Sequence, residues 1–413
     1  MSLKDKIDID KVRADTPCIN IYMDNSSASI PPMPVIKAVE NYFSSVVKYG
    51  TKSQWVKEHF AAPSINDAKK LIAKLIGASP DEIVFTLNGS EAISIIANGI
   101  FFKPGDNIVL SEFWFIPNAI PWFKLKETCG IQVRIAKANK TGFIDLDHLQ
   151  SQIDNNTKIV VIDHMALSLG ALQPVKRIAQ IAHEKGSLLF LNACNTVGLV
   201  NIDVNDIDCD FMAASGRKYL RAPQGTGFFY IKKDHICNIR PSYIGWEGFI
   251  TWDCSNTDID LCIDFYKGLE TVDRFSFGEP NYPGIVGLAR AIEYIFDIGG
   301  ISQIEHRVST LTEYLLENLN TIPGIEIYGP ESSKGRTGPV SFNLKDIPSL
   351  KVSQYLSRYH VVVQAGNFLC PGPLKVLGID AVVRVTLHYW NTKEEIDKVV
   401  NLLNQISQKK IKK

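Results

Sequence analysis

The chain has 413 residues, room for two or three domains at ~100–200 residues each. Lys+Arg and Asp+Glu are 44 each, so the formal net charge is zero, which argues against a nucleic-acid binder and its basic excess. Hydrophobic residues at 45% and charged residues at 21% make the chain too apolar for disorder.

No run reaches the ~18 apolar residues of a membrane span, and the opening MSLKDKIDIDKVRAD has no apolar secretion core. Eight scattered cysteines (Cys18, Cys129, Cys194, Cys209, Cys237, Cys254, Cys262 and Cys370) form no CxxC pair. That excludes the usual zinc spacing and disfavours a disulfide scaffold. The expected setting is reduced and cytoplasmic, with no metal site and no nucleic-acid or membrane partner.

Ser64–Ile76 places Ile65, Ala68, Ile72 and Leu75/Ile76 on one helical face, with Gly77 as the stop. Strands follow at 82–86, 107–111, 158–163, 187–192, 209–214 and 226–231. Their apolar residues are consecutive, as expected when helices cover both faces of a parallel sheet. Between two of them, Pro174 opens a helix with Val175, Ile178, Ile181 and Ala182 inward, closed by Gly186. This alternation predicts an α/β domain with a mostly parallel sheet. From about 281 the pattern changes to a long helix, Ile285–Ile298, then strands PVSFNL (339–344), VVVQAG (361–366) and AVVRVTL (381–387). A last helix opens on a Thr392/Glu395 capping box, and the QKKIKK end reads as a frayed terminus. The expectation is a large α/β domain plus a smaller α+β one.

Functional groups of open α/β sheets gather at the carboxyl ends of strands. Those ends deliver His164, Asn192 and Asn195, and SGRKYLRAPQGTGF (215–228). Lys218 stands just past a buried strand, where burial and the neighbouring cations Arg217 and Arg221 would lower its pKa, as a Schiff-base lysine requires. Position alone equally allows a solvated lysine in a basic loop. LNGSEA (87–92) offers either a phosphate cradle or a plain turn with a serine cap. FWF (113–115) offers a ring-stacking face or core packing, and Arg384 a carboxylate clamp or an ordinary ion pair.

Taken in order, these blocks resemble the class V aminotransferase family of pyridoxal-phosphate enzymes (fold type I). That family includes cysteine desulfurases, carbon–sulfur lyases and epimerase-like members. MDNSSAS (23–29) is similar to an LDNAAT-type turn, EIVFTLNGSEA to the phosphate-loop block, and PNAIPW (117–122) to ANxxPW. DHMALSLGALQPV (163–175) resembles SHVSNxLGxxxPV; SGRKYLRAPQGTGFFY resembles the lysine block; RFSFGEPN (274–281) and RVTLHYWNTKEEID (384–397) resemble the late blocks.

The resemblance implies pyridoxal 5'-phosphate as cofactor, bound as a Schiff base to Lys218, which later shuttles a proton at the substrate Cα. Gly89, Ser90 and Ser215 would hold the phosphate, Phe115 (or Trp114) would stack on the ring, and Arg384 would grip the carboxylate of a small amino-acid substrate. It also implies a homodimer, a large cofactor domain over 25–284, and a small domain made of 1–24 and 285–413.

Departures from the pattern bear on the reaction. Asn192 stands where the family has the Asp that pairs with the ring nitrogen, so a neutral ring nitrogen bonded to the amide is expected. Leu167 replaces an Asn, and Asn195 replaces the Gln near the phenolic oxygen; Glu279 replaces a Thr that touches the partner's phosphate. The desulfurase loop RxGxHCxxP becomes QAGNFLCPGPL, with Cys370 four residues after Gly366, one too many. Cys370 therefore reads as a bystander thiol, in a loop without the positive charge that activates one. His164 reads as a hydrogen-bonded core residue. A weakened electron sink favours prompt β-elimination after Cα-proton removal. The alternatives are an aminotransferase or cysteine desulfurase, and a catalytically silent member that binds a ligand or partner.

Overall fold

The computed structural model describes residues 7–245, 249–250 and 267–411; Cys254, Cys262, Lys412 and Lys413 lie outside them. Seven strands form the larger sheet: β1 (Ile83–Thr86), β2 (Asn107–Ser111), β3 (Gln132–Ala136), β4 (Thr157–Asp163), β5 (Leu188–Asn192), β6 (Phe211–Ser215) and β7 (Gly227–Ile231). Their order is β1-β7-β6-β5-β4-β2-β3. Only β7 runs antiparallel to its neighbours, β1 and β6.

β2, β6 and β7 are buried at every position. Alternate residues feed two cores, one per face. Val109, Leu189, Leu191, Met212 and Ala214 join one; Ile108, Leu110, Phe190, Phe211 and Ala213 join the other. Helices α1 (Met33–Tyr49), α2 (Ala62–Ile76), α5 (Val175–His183) and α6 (Tyr282–Asp297) cover the first face; α3 (Gly89–Gly99) and α4 (Ile116–Cys129) cover the second. The periodicity read for α2 and α6 thus extends two or three residues further N-terminally in the folded chain.

A second sheet holds β8 (Ile325–Tyr328), β9 (Pro339–Leu344), β10 (Gln364–Gly366) and β11 (Val382–Thr386), antiparallel throughout in the order β8-β9-β11-β10. Helices α7 (Ile301–Leu319) and α8 (Lys393–Ile411) bury Leu311, Leu315, Ile396, Val399 and Leu403 against Val340, Phe342, Val383 and Val385. The capping box forms at the start of α8, with Thr392 N donating to Glu395 Oε2 at 3.2 Å and Glu395 N to Thr392 Oγ1 at 3.3 Å.

Two features differ from the sequence reading. VVVQAG is not one strand: Val361–Val362 pairs in parallel with Ile21–Tyr22, while Gln364–Gly366 turns to β11. β3 lacks a continuous apolar run because it is a sheet edge, with Gln132 exposed and Arg134 paired to Asp154.

Candidate active site

The carboxyl ends of β5 and β6 and the start of α3 enclose a cleft of about 450 Å3. Asn88 caps α3, its side chain accepting from Glu91 N at 3.0 Å. The backbone N–H groups of Gly89 and Ser90 form no hydrogen bond among the described residues, as first-turn groups do not. Position 89 must be glycine: a Cβ there would sit 2.1 Å from Cys194 Sγ. Ser90 Oγ donates to Asn118 Oδ1 at 3.2 Å. Gly89, Ser90, Phe115, Ser215, Arg217 and Lys218 all line the cleft.

Lys218 is half-buried, and its Nζ donates to Asn195 Oδ1 at 3.1 Å. Burial lowers its pKa to about 8, with Arg217 and Arg384 pushing the same way. Arg221 does not share in this as the sequence suggested. With φ of 60° it turns away, donating from Nε to Ile30 O (2.6 Å), from Nη1 to Tyr389 Oη (2.7 Å) and from Nη2 to Thr16 Oγ1 (2.6 Å). It ties the N-terminal segment to the large core.

Phe115 faces the cleft, whereas Trp114 packs edge-on against Phe123 with centroids 5.4 Å apart. Arg384 is no surface ion pair. It is buried in β11, its Nη2 donating to Ser27 Oγ (3.1 Å) and Asp24 Oδ1 (3.4 Å), with Phe368 stacked 4.1 Å from the guanidinium. Its Nε and Nη1 have no hydrogen-bond partner among the described residues. It stands outside the residues lining the cleft, but its charge reaches Lys218.

Asn192 is buried at the carboxyl end of β5, outside the residues that line the cleft. Its Nδ2 donates to Asp163 Oδ1 and its Oδ1 accepts from Cys194 N at 3.2 Å. Asp163 carried no signal in the sequence beyond ending a strand; register with Asn192 across β4 and β5 brings it here. Asp24, Ser27, Asn118 and Arg217 were likewise not singled out as site residues, because side chains contributed by distant segments meet only in the fold. His164 is buried, 3.0 Å from Thr196 Oγ1, and burial lowers its pKa to about 4, so it stays neutral. Leu167 and Cys370 form an apolar cluster with Met165, Phe115 and Phe368. Glu279 is exposed and paired with Lys52.

An α/β protein with a depressed-pKa lysine in a cleft at strand carboxyl ends, beside open helix N–H groups, has the layout of an imine-forming enzyme. Comparison with known proteins fixes the family: the description "Aminotransferase class-V" matches residues 21–399. This chain belongs to that family, and is an enzyme dependent on pyridoxal phosphate. It is 32% identical to a probable cysteine desulfurase of Methanothermobacter thermautotrophicus, over 96% of this chain and 97% of that protein. The solved cysteine desulfurase from Thermococcus onnurineus NA1 is similar with a TM-score of 0.89, 29% identity and 99% of each chain covered. A complex of the cystine C–S lyase C-DES with its product cysteine persulfide has a TM-score of 0.84 at 19% identity, covering 94% of this chain and 98% of that one, a likeness of fold alone.

Proposed function

We propose that Lys218 carries the pyridoxal 5'-phosphate and that the loaded enzyme breaks a carbon–sulfur bond of a small amino acid by β-elimination. The residues fit the cofactor: an amine with a depressed pKa, an aromatic face at Phe115, and unpaired Gly89 and Ser90 N–H groups beside the Ser215 hydroxyl and Arg217 for a phosphate. Arg384 would hold the substrate carboxylate through its unpaired Nε and Nη1. When bound, the cofactor supplies an aldehyde carbon for amines and an electron-withdrawing ring.

With the cofactor bound, Lys218 would take the substrate Cα proton onto Nζ. Asn195 Oδ1, 3.1 Å away, keeps that nitrogen in place. The electron pair left at Cα forms the Cα–Cβ double bond, and the Cβ–S bond breaks with its pair on sulfur. The three-carbon product takes up water and leaves as pyruvate and ammonia.

The observation that carries this choice is the state of Cys370. It is fully buried, and burial pushes its thiol up to about 12. A thiol in that state offers no thiolate to accept sulfur. The desulfurase reading is favoured by the name of the relative at 32% identity. Product analysis with cysteine, cystine and cysteine S-conjugates separates the cases. Pyruvate with ammonia supports elimination; alanine with a persulfide on Cys370 supports a desulfurase; amino transfer to a keto acid supports an aminotransferase. Absence of a borohydride-reduced adduct on Lys218 would leave a silent, ligand-binding member.

The division into 25–284 and 1–24 with 285–413 belongs to this proposal, supported by the pairing of Ile21–Tyr22 with Val361–Val362. So does a homodimer, supported by exposed Phe43 and Val47 on α1 and Ile120 on α4. Sedimentation analysis tests it. No helix among the described residues is long and apolar enough to cross a membrane.

A further inference from the structure

Asp163 and Asn192 face each other at the carboxyl ends of β4 and β5. The carboxylate can only accept and Cys194 N can only donate, so these two neighbours fix the orientation of the amide between them. The other Asp163 oxygen accepts from Phe115 N at 3.3 Å. One amide and one peptide N–H are thus its donors, and no cation lies within ion-pair distance among the described residues. Burial raises its pKa to about 6, against the two hydrogen bonds and the charge of Lys218, which hold it down. Asp163 nevertheless keeps some exposed surface; it does not itself line the cleft, but Phe115, whose N–H donates to it, does. It is an anion with no ion-pair partner among the described residues, bonded to the backbone of cleft-lining Phe115 and within reach of the Lys218 charge.

The sequence carries a matching exchange. In the pattern this chain resembles, a Ser stands at position 163 and an Asp at 192; here the acid is at 163 and the neutral side chain at 192. The two positions are adjacent partners in the sheet, so the charge has moved by one strand rather than vanished.

We propose that Asp163, held in place by Asn192, is the counter-charge for a protonated pyridine nitrogen of the cofactor. This rests on the reading that the cleft binds pyridoxal 5'-phosphate through Lys218. It replaces the expectation, drawn from Asn192 alone, of a neutral ring. An opposite charge within ~4–6 Å favours the protonated form by about 1–3 pH units. Asn192 is then a positioning residue: its Nδ2 is engaged with Asp163, and its Oδ1 is engaged with Cys194 N.

The test uses full-length protein loaded with cofactor labelled with 15N at the ring nitrogen. The 15N shift is followed against pH for the parent, Asp163→Asn, and the double variant Asp163→Ser/Asn192→Asp. Borohydride reduction with peptide mapping verifies the Lys218 adduct in each. The expected result is a protonated ring nitrogen at pH 7.5 in the parent. Its pKa should fall by about 1–3 pH units in Asp163→Asn and return in the double variant. A neutral ring nitrogen in the parent, with the Lys218 adduct present, overturns the inference without needing any variant to fold. An unchanged titration in Asp163→Asn does the same. A parent lacking the adduct overturns the cofactor reading itself, and this inference with it.

Discussion

The Sγ atom of Cys370 lies 3.1 Å from the carbonyl oxygen of Phe113, two residues past the end of β2 in the chain's other half. Enclosed by Met165, Leu167 and Phe368, the thiol is fully buried, and that burial outweighs the Arg384 charge that would favour its ionisation. Cys370→Ala should therefore leave sulfur release within about twofold of the parent, with stability lower by about 1 kcal/mol for a small buried truncation. Iodoacetamide at pH 8 should label exposed Cys237 well before Cys370. Loss of sulfur release in the variant would return Cys370 to the mechanism.

For Lys218, the buried ammonium is disfavoured, so the neutral amine forms above about pH 8 instead of the usual 10.5. Capture of the cofactor by the apoprotein should accelerate as pH rises toward 8 and level off beyond it, read as the absorbance change on mixing. Between about 8 and 10.5 the unfolded chain binds the proton that the folded chain has shed. Stability of the apoprotein should thus gain from this group as pH rises through that window. A capture rate still climbing steeply past pH 9.5 would contradict the depressed value. Lys218→Ala should bind cofactor without a reducible adduct.

In the proposed role, Arg384 would meet the substrate carboxylate with its two unpaired N–H directions while Asp24 and Phe368 fix its plane. Arg384→Lys keeps the charge and loses the fork. Substrate affinity, measured by spectral titration with a non-reacting amino acid, should drop about tenfold to a hundredfold, the worth of one charge-assisted hydrogen bond of about 1.5–3 kcal/mol. Unchanged affinity would place the carboxylate elsewhere.

Away from the cleft, Asp210 accepts from His183 Nε2 (2.9 Å), His235 Nε2 (2.7 Å) and Leu189 N (2.7 Å). Burial works against the carboxylate, but these bonds hold its pKa well below the usual range, while the Asp210 bond raises that of His183. The histidine's contribution is complete below 6.5 and fades as pH rises through its elevated value. The carboxylate's is complete above 3.8 and fades as pH falls. Asp210→Asn should cost about 2 kcal/mol near pH 5–6 and less by pH 9 in urea unfolding. A difference that stays constant across that range would refute the coupling.

Much of the site was legible because its chemistry rides on strand ends. The apolar runs of β2, β4, β5, β6 and β7 locate those ends, and Lys218, Asn195, Ser90 and Phe115 fall beside them. Edge strand β3 was not legible, since solvent covers part of it and no apolar run results. Arg221 misled because three residues of separation from Lys218 say nothing about direction. One residue at positive φ sends its guanidinium to Thr16 and Tyr389.

The sequence by itself determined the two-faced α/β sheet, the lysine and the helix start beside it, because burial patterns and turn residues act over short stretches of chain. Tertiary structure alone decided that Asp163 meets Asn192, that Phe368 covers Arg384, and that Cys370 is sealed under Phe113. These contacts join residues 16 to 257 positions apart, some of them through sheet register and loop packing. Whether a carboxylate, a guanidinium or a thiol is charged and reachable depends on what such contacts bring within a few ångströms.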